Sequence, residues 1–182
     1  ITTAYRLPIR QNTILVGPNN EGKSNILKGL VTALGFLGAL DRFRLQRGRL
    51  RMLNREVGGY NWTKDFPISL QNKHPASESV FRLEFKLSES EVGEFETEVN
   101  SYLNGTLPIE LSFGKGDPGF KVIKKGPGGP ALSKKAEKIA SFVAKRINLT
   151  YIPAVRTSEE ANNIVGTIVN RELAVIETQK AY

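Results

Sequence analysis

An α/β fold is predicted for this 182-residue chain by three observations. Thr13-Ile14-Leu15-Val16 reads as a short buried strand that runs into a glycine loop, Gly17 to Ser24, and then into a helix whose apolar residues recur at intervals of three and four: Ile26, Leu27, Leu30, Val31, Leu34 and Leu37. Phe81, Leu83, Phe85 and Leu87 alternate with Arg82, Glu84 and Lys86, the period of a half-buried strand. Leu107 to Phe113 and Phe120 to Ile123 flank the turn residues Asp117-Pro118-Gly119 and read as an antiparallel hairpin.

The loop itself is Gly17-Pro18-Asn19-Asn20-Glu21-Gly22-Lys23-Ser24, a full G-x-x-x-x-G-K-[ST] pattern in strand–loop–helix context. Each residue type has a physical task. Gly17 and Gly22 let the backbone wrap closely around phosphate oxygens, and the N–H groups and positive end of the following helix stabilise the anion. Lys23 reaches the β- and γ-phosphates, and the Ser24 hydroxyl ligates the bridging Mg²⁺. The pattern therefore predicts a bound nucleoside triphosphate.

Composition narrows the remaining classes. No cysteine is present, which excludes disulfides and thiolate metal sites and fits a reducing, cytoplasmic setting. The longest uncharged apolar stretch, Gly29 to Leu40, is too short to span a bilayer, so no membrane partner is expected. A net charge of +8 favours anionic partners, nucleic acid among them. Arg42, Arg44, Arg47, Arg49, Arg51 and Arg55 follow one another without an intervening acid. This run suits a phosphate backbone, a solvated helix extension or an acidic protein partner. Lys115 to Lys138 carries seven lysines against Asp117 and Glu137 and reads as a solvated basic face.

The rest of the chain reads as follows. Ile1 to Arg10, broken by Pro8, suggests an edge strand or strand pair. Tyr60-Asn61-Trp62 to Asp65-Phe66-Pro67 reads as an aromatic anchor for the edge of a core, with Asp65 giving no sign of catalysis. His74, the single histidine, lies in a polar loop beside Pro75, a poor setting for acid–base work or a metal. Ser88-Glu89-Ser90-Glu91 is a capping box ahead of a helix on Val92, Phe95, Val99 and Leu103. Lys124 to Pro130 reads as a loop. Ala136, Ile139, Ala140, Val143 and Ile147 mark a helix, and Leu149 to Ile152 a buried strand closed by Pro153. Arg156 follows directly, at a strand end where ligands collect, serving either phosphate sensing or an ion pair. Thr157 to Glu160 caps a last helix with Ala161, Ile164, Val165, Ile168, Val169 and Ile176 along its seam.

Beyond the minimal pattern, Gly-Pro-Asn-Asn-Glu-Gly-Lys-Ser-Asn-Ile-Leu, with Asn19 and the Asn25-Ile26-Leu27 continuation, resembles the loop of ABC-type ATPases related to RecF and the SMC proteins. Tyr60-Asn61-Trp62, Asp65-Phe66-Pro67 and Tyr151-Ile152-Pro153-Ala154-Val155-Arg156 resemble segments of the OLD-family ATPases. The resemblance implies a P-loop NTPase lobe with an inserted antiparallel β/α region, part of a larger head: loop strand and helix in 1–40, the basic and antiparallel insertion in 41–148, and a return strand and helix in 149–182. It also implies ATP and Mg²⁺ held by Gly17 to Asn25, with Mg²⁺ on Ser24. Homo-oligomerisation through the ATPase heads is a further expectation, as is a Toprim-type nuclease, fused or partnered, in antiphage defence of the PARIS type. Arg47, Arg49, Arg51 and Arg156 are expected to contact phosphate or nucleic acid. A RecF-like repair ATPase gripping duplex DNA, or an ATP-switched scaffold without turnover, remains open beside it. The sequence carries no serine-glycine signature motif, no apolar run ending in Asp-Glu and no Toprim acidic cluster, so catalytic residues stay unassigned; Gln71 is conceivable as a Q-loop glutamine from its place after Pro67 alone.

Overall fold

The computed structural model describes residues 3–18, 22–40, 59–124 and 128–152, together with 162, 165–166 and 169–170. The chain divides into two compact units, Ile1–Leu149 and Thr150–Tyr182.

In the first unit, helix α1 (Lys23–Ala39) is followed by two single-turn helices, α2 (Trp62–Asp65) and α3 (Ile68–Gln71), strand β1 (Ser79–Lys86), helix α4 (Glu89–Val99), strands β2 (Thr106–Phe113) and β3 (Gly119–Val122), and helices α5 (Gly129–Ser133) and α6 (Ala136–Ala144). The strands form one antiparallel sheet in the order β1-β2-β3. The class is thus α/β, with the expected antiparallel sheet and hairpin in place.

The period-two pattern of β1 puts Phe81, Leu83 and Phe85 on the same face as Leu107, Ile109 and Leu111 of β2, opposite them in register. Leu107, Ile109, Leu111 and Phe113 are fully buried, while the β1 row is half-buried. The hairpin register brings Val122 to Ile109 and Phe120 to Leu111. Pro108 explains why β3 is half the length of β2. Its carbonyl accepts from Ile123 N–H at 3.1 Å, but it has no N–H to return, so the ladder ends there.

Helices cover this face. α1 buries Ala33, Phe36, Leu37 and Ala39, and α6 buries Ile139, Ala140, Phe142, Val143 and Ala144. Phe113 joins the layers, with the Phe36 ring edge-on at 5.2 Å and Phe81 edge-on at 5.7 Å. Such pairs contribute about 1 kcal/mol each beyond the area they bury. Gly29 lets α1 approach the sheet: a Cβ there would stand 3.1 Å from Phe81 Cε1. α4 carries the expected capping box, with Ser88 N–H donating to Glu91 Oε2 at 2.8 Å and Glu91 N–H to Ser88 Oγ at 3.4 Å. Phe95 of α4 meets Phe142 of α6 edge-on at 5.0 Å. Arg146 clamps the same two helices, donating to Glu94 at 2.6 Å and Glu98 at 2.7 Å while lying 3.6 Å over the Phe142 ring. Burial lowers its pKa, but the two carboxylates outweigh this and raise it overall.

Three expected strands are not formed among the described residues. Residues 3–10 carry no strand, and Arg6 takes a positive φ of 49° that breaks any extended run. Thr13 to Val16 is irregular, with Ile14 84% and Val16 90% exposed. Thr13 instead uses its hydroxyl to accept from Arg10 N–H at 2.9 Å, a local turn that competes with a ladder. In the second unit, Tyr151 and Ile152 are also irregular and exposed, as Leu149 is irregular at the end of the first. A strand exists through a hydrogen-bonded neighbour, and none of these runs has one among the described residues. The parallel central sheet of a P-loop lobe is accordingly not formed among them. Residues 129–133 of the expected glycine- and proline-rich loop and its flank are helical, Pro130 fitting the first turn. Residues 162, 165–166 and 169–170 of the second unit are helical.

Candidate nucleotide-binding site

Gly22 ends the loop in the left-handed conformation, φ 87° and ψ 13°, and is the N-cap of α1. An L side chain is penalised there, so the glycine is a backbone requirement. Its carbonyl accepts from Ile26 N–H at 3.0 Å and starts the helix. Lys23 and Ser24 are the first two helical residues and Asn25 the third.

The first turn of α1 has no side-chain cap and no acidic residue. The first N–H groups of a helix have no intrahelical partner, and the peptide dipoles add positive potential at that end. Lys23 adds a full charge. Its Nζ donates to Gly17 O and Pro18 O, each at 2.5 Å, so the ammonium ties the start of the loop to its end. Ser24 and Asn25 are exposed, and α1 buries its apolar face only from Ala33 onward. The helix is therefore anchored at its C-terminal half, with its positive end open toward solvent. This arrangement can hold an anion.

Asn19, Asn20 and Glu21 lie outside the described residues, as do Arg42 to Arg55, with Arg47, Arg49 and Arg51 among them, and Arg156. The expected seam residues Ala161, Ile164, Ile168 and Ile176 lie outside them too. Of the expected site, Gly17, Pro18, Gly22, Lys23, Ser24 and Asn25 are described, and Lys23 links the two ends of the loop.

The aromatic anchor packs as expected: Tyr60, Trp62 and Phe66 are buried, Trp62 stacks on Phe66 at 5.2 Å, and Trp62 Nε1 donates to Ser77 O at 2.9 Å. Burial pushes the Tyr60 hydroxyl pKa up, against the lowering effect of its 2.8 Å hydrogen bond with Ser79. Asp65 is structural. It accepts from Asn61 N–H at 2.7 Å and pairs with Lys28 at 2.5 Å, joining α2 to α1 one turn beyond the loop. No local pattern announces this pair, because its members are 37 residues apart. The Gln71 amide donates to Thr63 O at 3.0 Å and Phe66 O at 2.9 Å, so its side chain is engaged in holding α2 and α3 together.

The lysine-rich face is less free than its composition suggests. Lys115 stands 4.0 Å over the Trp62 ring, Lys124 donates to Asn104 at 2.6 Å, and Lys135 donates to Asn100 O and Ser101 Oγ. An open depression of about 500 Å³ lined by Phe120, Lys134, Lys135, Ala136, Glu137 and Lys138 contains none of the loop residues. Among the described residues, no cluster of His, Cys, Asp and Glu could hold a metal ion, no charged side chain is buried, and no helix is long and apolar enough to cross a membrane. Compared with known proteins, the chain matches no family model, no curated protein and no solved structure.

Proposed function

We propose that the chain is the ATP-binding lobe of an OLD-like, ABC-class ATPase, with Gly17 to Asn25 as its phosphate site. The observation that carries the reading is the left-handed Gly22 followed at once by Lys23 and Ser24 in a first helical turn with no side-chain cap and no acidic residue. That end suits a polyphosphate: backbone N–H donors, a helix dipole and an ammonium bear on one place. Lys23 exchanges its bonds to two neutral carbonyls for bonds to charged phosphate oxygens, which are the stronger acceptors. Ser24 offers one hydroxyl to Mg²⁺, whose other ligands are phosphate oxygens and water, so a carboxylate cluster is not needed for binding. Mg²⁺ supplies charge neutralisation of the triphosphate; this chain's residues bind and orient it. Head-to-head self-association driven by ATP, control of a nuclease and a role in antiphage defence belong to the same reading through the resemblance of the loop together with that of the segments Tyr60 to Pro67 and Tyr151 to Arg156.

The test is equilibrium binding of a fluorescent ATP analogue. Lys23→Ala is expected to weaken binding at least tenfold and Ser24→Ala to abolish its Mg²⁺ dependence. Undiminished affinity in Lys23→Ala contradicts the proposal.

The net charge of +8 favours a second reading, a RecF-like ATPase that grips duplex DNA. It predicts DNA affinity that falls steeply with salt. Arg47→Ala, Arg49→Ala and Arg51→Ala are each expected to reduce the slope by roughly one, since each leaves one phosphate without its arginine. A flat salt dependence contradicts it.

A further inference from the structure

We propose that β1 pairs with β1 of a second copy of this chain, extending the sheet across a two-fold axis at Leu83. Among the described residues, β1 is an edge strand, eight residues long. Leu87 N–H donates to Gly105 O at 2.9 Å, and this fixes the phase of the ladder: the odd-numbered residues of β1 exchange hydrogen bonds with β2. The N–H and C=O groups of Val80, Arg82, Glu84 and Lys86 therefore point away from the sheet. Among the described residues, no backbone group outside the sheet bonds to them. Such an edge is a template for another strand.

The occupant follows from the side chains. Phe81-Arg82-Leu83-Glu84-Phe85 is symmetric about Leu83 in its apolar positions and opposite in sign in its charged ones. In an antiparallel pair centred on Leu83, Arg82 lies opposite the partner's Glu84, and Glu84 opposite the partner's Arg82. Val80 then faces the partner's Lys86, and Phe81 the partner's Phe85. The even residues of both copies carry the outward backbone groups, and they pair with one another, so hydrogen bonding and charge agree in this register. Moving the axis by one residue in either direction sets Arg82 against the partner's Arg82, or Glu84 against the partner's Glu84, which like-charge repulsion disfavours.

Two further observations favour a second copy. Phe81, Leu83 and Phe85 are only half-buried, although their partners on β2 are fully buried, so among the described residues the apolar row is left partly open at the β1 edge. Pairing sets the same row of the second copy beside it. Arg82 also bonds Glu110 at 2.9 Å with its side chain 73% exposed, leaving guanidinium donors for a second carboxylate.

The experiment is sedimentation of the full chain without nucleotide, so that its outcome is independent of ATP binding. Wild-type chain is expected to dimerise. Arg82→Glu and Glu84→Arg are each expected to weaken the dimer about tenfold, since two attractive pairs become repulsive in each. An equimolar mixture of the two variants restores association, because both cross-strand pairs are then Glu opposite Arg. The chain has no cysteine, so Leu83→Cys reads the axis directly. At the axis the two Cα atoms stand about 4.5 Å apart, within disulfide range. Leu83→Cys is expected to form a cross-linked dimer on oxidation, and Val80→Cys to remain uncross-linked. A wild-type chain that stays monomeric, a dimer unaffected by the charge reversals, or equal cross-linking of the two cysteine variants overturns the proposal.

Discussion

At Gly22 the backbone takes a conformation that L residues adopt at a cost of roughly 1–2 kcal/mol. Gly22→Ala is therefore expected to lower stability by about that amount in urea unfolding and to weaken nucleotide binding as well, because the same turn aims the first N–H groups of α1. A variant with unchanged stability and affinity would show that the turn tolerates a side chain. Lys23 stands apart from other lysines of the fold. Lys28 balances Asp65, Lys115 covers Trp62, and Lys124 and Lys135 hold loop carbonyl groups and hydroxyls. Lys23 spans the loop whose residues the sequence pattern singles out.

Elements that depend on neighbours a few residues away were legible. The Ser88–Glu91 capping box, the alternation of β1 and the β2–β3 hairpin, whose bend falls at residues 114–116, each depend on one short window. The box makes a prediction at this scale: Ser88→Ala is expected to cost about 1 kcal/mol, measured by chemical denaturation. Its pH dependence follows from Glu91, whose carboxyl is held below the usual range first by the Ser88 backbone N–H and then by the Ser88 hydroxyl. A pKa lowered on folding means stability that is fully present above the ordinary carboxylate range and lost as pH falls through the lowered value. The advantage of wild type over Glu91→Gln should accordingly shrink in acid; an advantage constant from neutral to acidic pH would show that the Glu91 charge takes no part in the cap. Elements that depend on distant partners were not legible. Thr13 to Val16 and Leu149 to Ile152 have the composition of buried strands, but composition does not supply a ladder, and each is irregular. Arg146 meets Glu94 and Glu98 across 52 and 48 residues, a separation that no short window of residues spans.

For the molecule as a whole, the sheet and its helical cover bury α1 from Ala33 onward and meet it at Gly29, leaving its first turn to present the loop. That division of labour was half visible: the motif and its helix could be read from residue order, whereas the anchoring of the helix through Phe36, Phe113 and Phe81 needed the tertiary arrangement. The proposed function stands on Mg²⁺ and ATP binding at this exposed helix end. Hydrogen exchange of the full chain with and without Mg²⁺ and ATP reads that event at the residues concerned. Exchange is expected to slow at residues 17–25, not to slow there in Lys23→Ala, and to stay unchanged in β1 to β3. No nucleotide-dependent protection at 17–25, or protection there that persists in Lys23→Ala, would contradict binding at this site.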